Sequence, residues 1–189
     1  MIIAPILPRI GEELQIGEAV QGTLIASYGL MSGLFALLAG PISDRIGRRR
    51  ILLLGAAWMA IALYLHGAAG SYTSLLLARG AAGGAGGVLA GAAVAYVGDY
   101  FPYNQRGWAN GWIMSGLAVG QVLGIPIGAA VAEWWGFYAP FLGFAITMTG
   151  AFVLTGFFVP QPDVALAKEL SIATGLGKYL ALLRHKATL

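Results

Sequence analysis

Residues 40–50 read Gly-Pro-Ile-Ser-Asp-Arg-Ile-Gly-Arg-Arg-Arg and place five charged side chains within seven positions. Long apolar segments flank this stretch. Neither Val20–Gly40 nor Ile51–Ala69 contains an acidic residue, a lysine or an arginine. About 20 apolar residues are enough to cross a bilayer as a helix. The pattern therefore predicts two membrane helices joined by a charged loop.

The composition of the whole chain agrees with a membrane protein. Of its 189 residues 58% are apolar and 10% are charged, and the mean hydropathy is +0.77. Soluble domains carry about 25% charged residues. The 29 glycines have no collagen period, and the apolar content excludes a disordered chain. With no cysteine, disulfides and thiol chemistry are excluded. The fold class expected is an all-α polytopic membrane protein.

Apolar segments predict five complete helices and a partial one. The segment Met1–Pro8 is too short to span, and is expected to be the end of a helix whose beginning is missing. Glu12, Glu13 and Glu18 then form an acidic loop. We expect a transmembrane bundle over residues 1–160 and a cytoplasmic connection over 161–189. The five spans are predicted at Val20–Gly40, Ile51–Ala69, Leu75–Val97, Trp108–Ala132 and Phe137–Val159.

Lysine and arginine are distributed unevenly between the two sides of this bundle. The loops 41–50 and 98–107 and the tail carry nine of these residues, and the other side carries only Arg9. Cytoplasmic loops are enriched in positive charge. These two loops and the tail are therefore predicted to be cytoplasmic in a multi-pass protein of the cell (inner or plasma) membrane. The net charge of +3 is a topology signal, and no nucleic-acid partner is expected.

Glycines recur at four-residue intervals in three predicted helices. Small residues at this spacing allow membrane helices to approach closely. A nucleotide-binding glycine loop is not expected at 80–91, since no strand precedes it. The repeats predict helix seams at Gly29 and Gly33, at Gly83, Gly87 and Gly91, and at Gly116, Gly120, Gly124 and Gly128.

The stretch 40–50 closely resembles the signature between helices two and three of the major facilitator superfamily. That signature is Gly, three residues, Asp-Arg, one residue, Gly-Arg-Lys/Arg. Arg79 and Gly83 resemble the family's helix-four motif, and Asp99 to Gly111 resembles the turn that follows it. The fixed positions of the signature are occupied by Gly40, Asp44, Arg45, Gly47, Arg48 and Arg49.

The fifth predicted helix resembles the family's antiporter motif. Its proline is displaced by one position, to Pro126, and Ala129 stands in place of the last glycine. The variant is similar to that of bacterial sugar-efflux and drug-efflux members. The resemblance implies proton-coupled efflux of a small-molecule substrate, without a cofactor. The glycines that fit the motif are Gly111, Gly120, Gly124 and Gly128.

The resemblance also implies an architecture of twelve helices in two halves. The chain resembles the six-helix N-terminal bundle with its first helix truncated, and the tail stops about where helix seven would begin. The expected partners are the lipid bilayer, protons, and either a missing C-terminal six-helix half or a second copy. An inert fragment and a half-size transporter that forms a homodimer remain alternatives.

The resemblance assigns roles to several residues. Asp44, Arg45, Arg48 and Asp99 are expected to latch the outward-facing state, whereas Arg49 and Arg50 serve topology. A topology role alone is the alternative for the first group. Arg79, the one charge inside a predicted span, is expected in the pathway or in proton coupling, or else it snorkels to the interface.

Two further residues have structural interpretations. His66, near the outer end of helix three, is expected to be a plain interfacial histidine, and a proton-relay role is the alternative. Pro126 is expected to form a hinge or a packing seam in helix five.

An intramembrane enzyme is the competing function class. It needs a nucleophile with a base within reach, but the predicted spans contain one histidine and no acid. A metal site is equally unsupported, with two distant histidines and no cysteine. No catalytic or metal-ligating residues are therefore predicted.

Overall fold

The computed structural model describes residues 3–162, which form six α-helices and one short 3-10 turn. Five of the helices are long and apolar enough to cross a membrane. The first helix, with 12 residues, is shorter. The elements are α1 (Ile3–Leu14), α2 (Glu18–Ile46), α3 (Arg48–Gly67), α4 (Tyr72–Tyr100), the turn Tyr103–Gln105, α5 (Arg106–Trp135) and α6 (Tyr138–Phe158).

The helices extend beyond their apolar segments, which corrects several predicted loops. The prediction that α2 stops at Pro41 is wrong, because the helix continues to Ile46 and only Gly47 separates it from α3. A helix of 29 residues is about 43 Å long, whereas the hydrocarbon core is about 30 Å thick. The apolar segment of α2 therefore ends before the helix does. The charged residues assigned to the predicted 41–50 loop lie in helical end turns.

The same correction applies at two other predicted loops. Asp99 belongs to the last turn of α4, and Arg106 is the first residue of α5. Glu12 and Glu13 lie in α1, and Glu18 begins α2. The break between α4 and α5 falls at Pro102, which has no backbone N–H to continue the helix.

Helix α4 is the central element of the bundle. It packs against α2 and α3, and α3 packs in turn against α6. One apolar cluster joins α1, α2, α4 and α6 around Ile10, Leu24, Leu75 and Phe141. A second cluster joins α3 and α4 around Ile51 and Val88. Charged groups lie at one end of the bundle, and a cavity borders the first cluster at Phe141.

Glycines on α4 allow its backbone to approach α2. A Cβ atom added at Gly83 would stand 2.8 Å from the Cα atom of Tyr28, and one at Gly87 would stand 2.8 Å from the backbone nitrogen of Ala36. At Gly91 it would stand 2.8 Å from the Cβ atom of Ala39. No larger residue fits at these positions without moving α2. The seam predicted on α4 is therefore a contact with α2.

Four glycines of the other two predicted seams are not packed among the described residues. A Cβ atom added at Gly29, Gly33, Gly116 or Gly120 would have nothing within 4 Å. Helix α5 is the most exposed of the long helices, with Trp112, Val122 and Ile127 all more than half exposed. The spacing indicated that a close approach is sterically allowed, but residues 3–162 supply no partner helix at these four glycines, whereas Gly128 of α5 is buried.

The predicted cytoplasmic connection over 161–189 lies almost wholly outside the described residues. Only Gln161 and Pro162 are described. The tail charges used in the topology prediction, Lys168, Lys178, Arg184 and Lys186, lie outside them as well.

Candidate functional site

Arg48 joins the ends of α2 and α4. Its guanidinium forms ion pairs with Asp44 and with Asp99, each at 2.5 Å, and donates a hydrogen bond to the hydroxyl of Ser43. We call Ser43, Asp44, Arg48 and Asp99 the charge cluster. The side chain of Arg48 is 13% exposed, that of Asp99 26% and that of Asp44 49%. One largely buried arginine thus connects three helices through two more exposed carboxylates.

Local backbone geometry makes this arrangement possible. Gly47, the single residue between α2 and α3, has a φ of +103°, which side chains with a Cβ atom rarely adopt. A Cβ atom there would also stand 3.0 Å from the Nε2 atom of Gln161. The abrupt turn brings Arg48 beside Asp44 although the helix is interrupted between them. Ser43, which sequence reasoning missed, is buried and donates a hydrogen bond to the carbonyl of Gly40 at 2.8 Å.

The remaining arginines of the motif differ from one another. Arg49 donates from Nη2 to the carbonyl of Gly156 at 2.5 Å, and its backbone N–H donates to Gln161 at 3.1 Å. Arg49 therefore holds the end of α6 against the start of α3, in addition to the topology role expected of it. Arg45 and Arg50 are exposed and have no ion pair among the described residues.

Arg79 lies inside the bundle. It is 8% exposed and occupies the eighth position of α4, two turns from the start of that helix. Its guanidinium carbon lies 5.4 Å from the ring centroid of Tyr28 and 5.7 Å from that of Phe141. The side chain is therefore packed within the protein, which disfavours the snorkelling alternative. Because α4 begins at Tyr72 and not at Leu75, Arg79 also lies deeper than the sequence suggested.

His66 holds Arg79 in place. The Nε–H of Arg79 donates to Nε2 of His66 at 3.0 Å, and Nδ1 of His66 lies 2.6 Å from the carbonyl of Ala62. A carbonyl only accepts, so Nδ1 carries the proton and Nε2 is the acceptor of a neutral ring. His66 is fully buried and stacked on Phe141. The prediction of a plain interfacial histidine is wrong.

A cavity of about 300 Å³ opens beside Arg79. We call it the Arg79 cavity. Residues from five helices, α1 to α4 and α6, line it, and apart from Arg79 and the hydroxyl of Tyr28 they are apolar. Among the described residues the guanidinium has one hydrogen bond, to His66, and no ion pair. The lining includes Ile25, Tyr28, Met59, Leu63, Phe141 and Phe144.

The candidate residues of α5 lie neither in the charge cluster nor in the Arg79 cavity. The helix runs through Pro126 without ending. Gly111 and Gly120 are exposed, Gly124 is half-buried and Gly128 is buried. The hinge or seam proposed for this set therefore remains a prediction.

The chain matches the family model of the Major Facilitator Superfamily over residues 1–187. It is 32% identical to Multidrug resistance protein MdtG of Proteus mirabilis over 178 residues, which cover 92% of this chain and 44% of that protein. It is also 32% identical to an uncharacterised MFS-type transporter, YceJ of Bacillus subtilis, over 132 residues, which cover 70% of this chain and 34% of the relative.

A solved structure shares the fold. The crystal structure of the peptide transporter POT in complex with alafosfalin aligns with a TM-score of 0.72 at 19% sequence identity. The alignment covers 96% of this chain and 42% of that one. The chain thus spans less than half the length of these relatives.

Proposed function

The chain belongs to the major facilitator superfamily, and on that premise we propose that it is one half of a secondary transporter that exports a small molecule. The exporter works by alternating access and is driven by protons. In this proposal the second half is either a further six-helix segment or a second copy of the chain. The end of the bundle that carries the charge cluster faces the cytoplasm. An enzymatic function is not proposed.

The charge cluster carries the proposal. Asp44 comes from α2, Arg48 from α3 and Asp99 from α4, so any relative movement of these helix ends must break an ion pair. Exposed ion pairs contribute about 0–1 kcal/mol each, and hydrogen bonds to charged groups about 1.5–3 kcal/mol. Two transporter conformations interconvert when they differ by a few kcal/mol. A half-solvated cluster of this strength suits a contact that forms and breaks in every cycle.

Arg79 has a supporting role in the proposal. An ionisable group inside a membrane helix is costly to bury and commonly marks a transport pathway. Its neighbour His66 supplies the acceptor that holds the Arg79 guanidinium inside the bundle. We propose that this pair lies along the pathway. The glycines and Pro126 of α5 would then form the surface that meets the second half.

Transport in proteoliposomes tests the proposal. The purified chain is reconstituted with an imposed pH gradient, and uptake of cationic, neutral and anionic compounds is followed with and without the gradient. We expect gradient-driven transport by the chain, either alone or together with a six-helix segment encoded beside it. Transport by the chain alone would identify a homodimer of half-size subunits.

Asp44→Asn is the critical variant. It removes one charge of the cluster and leaves the shape of the side chain, so the chain is expected to insert normally but to lose transport. Arg50→Gln, at an exposed position without an ion pair among the described residues, is the matched control and retains most of the activity. Full transport by Asp44→Asn would refute the gating role. Absence of transport both by the chain alone and by the chain together with the six-helix segment would refute the proposed function itself.

A further inference from the structure

We propose that the Arg79 cavity binds a small organic anion, whose carboxylate pairs with the Arg79 guanidinium while its apolar body lies against Phe141 and Phe144. The inference rests on the proposed function only for the claim that this anion is a transported substrate. The binding site itself follows from the charges, contacts and shape of the cavity.

The charge of Arg79 is not balanced by the residues around it. The ion pairs among residues 3–162 all belong to Arg48, at the far end of α4. His66 is neutral in the observed hydrogen-bonding pattern, so it accepts a hydrogen bond from Arg79 without supplying negative charge. Removing an unpaired charge from water is costly, and the two cation–π contacts with Tyr28 and Phe141 recover only part of that cost. An anionic ligand would supply the missing compensation.

The guanidinium also has the geometry for a carboxylate. Its Nε–H is used by His66, and among the described residues no acceptor is bonded to its two terminal amino groups. Arginine binds carboxylates through two parallel hydrogen bonds in a fork arrangement. His66 and the rings of Tyr28 and Phe141 fix the plane of the guanidinium. The binding group is therefore held in position before the ligand arrives.

The other residues that line the cavity determine which kind of ligand fits beside the carboxylate. Ile25, Met59, Leu63 and Phe144 present apolar surface, and a volume of about 300 Å³ lies at the lower end of the range for small-molecule sites. Ile25, at the α2 side of the cavity, is 44% exposed, so the cavity is open there. A cation would meet an unpaired positive charge on entering. The site thus fits an aromatic or aliphatic carboxylate of modest size.

Binding of three matched probes to the full chain in nanodiscs tests the inference. The probes are 1-naphthoate, its neutral amide and the cationic 1-naphthylmethylamine, and binding is measured by calorimetry. We expect saturable binding of naphthoate at least about tenfold tighter than that of the amide, because hydrogen bonds to a charged group are stronger than neutral ones. Arg79→Gln should abolish the preference for the carboxylate.

Two variants of α2 control for folding. Gly29 lines the cavity and Gly33 does not, although a Cβ atom added at either meets nothing within 4 Å. Gly29→Leu should fill the cavity and weaken naphthoate binding about tenfold or more, whereas Gly33→Leu should bind like the unaltered chain.

The alternatives have distinct outcomes. Tighter binding of the amine, a preference for naphthoate that survives Arg79→Gln, or no preference in the unaltered chain would each overturn the inference. The unaltered chain would also show no preference if a carboxylate side chain from another segment already paired with Arg79. Since binding is measured without transport, a failure of export leaves this result intact. A chain that transports without binding naphthoate overturns this inference alone.

Discussion

The neutral ring of His66 determines how Arg79 is held, since it provides the guanidinium with its one hydrogen-bond acceptor among the described residues. Both ring nitrogens are used, one toward Ala62 and one toward Arg79. Sequence alone indicated neither contact. His66 and Arg79 are 13 positions apart, on consecutive antiparallel helices, and the turn between them is too irregular to fix their register from the pattern of residues.

His66→Leu tests this contact. The substitution preserves apolar packing against Phe141 but leaves the Nε–H of a buried arginine without an acceptor. An unsatisfied buried donor costs about 1–3 kcal/mol, so we expect the unfolding free energy in detergent to fall by about that amount. His66→Gln, which retains an acceptor, should lose less. Equal stability of the leucine variant and the unaltered chain would show that Arg79 is not held by His66.

At the scale of elements, α4 and α5 carry the same small-residue spacing but pack differently. The glycines of α4 face the backbone of α2, whereas Gly116 and Gly120 of α5 face open space. The spacing of small residues in a sequence shows where a close approach is possible, and a partner helix decides whether it occurs. The partner of α4 is part of the described bundle. Helix α5 makes few contacts with α1, α4 and α6, so Gly116 and Gly120 have no close partner within residues 3–162.

Gly87→Ala tests the α2–α4 contact. An added methyl group would stand 2.8 Å from the backbone nitrogen of Ala36, which cannot move without shifting α2. Overpacking of this kind costs about 1–3 kcal/mol. We expect a corresponding loss of thermal stability in detergent. Gly120→Ala is the matched control and should leave the bundle unchanged. A neutral Gly87→Ala would mean that the two helices are not in close contact.

The number and approximate positions of the spans could be predicted because an apolar segment must be long enough to cross the hydrocarbon core of the membrane. Their ends could not, because a helix continues into the interface after its apolar residues stop. Pro41 illustrates this, since the loss of one backbone donor does not end α2. For the candidate sites, sequence placed Asp44 and Arg48 one turn apart, but the contacts of Ser43, Arg49 and Gln161 depend on the φ of Gly47 and on the position of α6.

At the scale of the whole molecule, the helix ends separate into two groups. The charge cluster, together with the contact of Tyr96 with Pro160 and that of Arg49 with Gly156, joins the ends of α2, α4 and α6 to the start of α3. At the opposite end, Thr23 of α2 bonds to Tyr72 of α4. The arginines of the motif lie at the first end, and Arg9 lies in α1, whose apolar residues pack at the opposite end. On the positive-inside rule we predict that the first end faces the cytoplasm.

Cysteine labelling at the two ends of one membrane span tests that orientation. The chain has no native cysteine, and Asn104 and Trp134 are exposed at opposite ends of the segment Tyr103–Trp135. In intact cells a membrane-impermeant maleimide should label Trp134→Cys, and it should label Asn104→Cys only after the membrane is opened. Neither substitution changes the count of lysine and arginine on which the orientation depends. Labelling of Asn104→Cys in intact cells would reverse the assignment, placing the charge cluster outside, whereas protection of both sites would contradict a helix that spans the membrane.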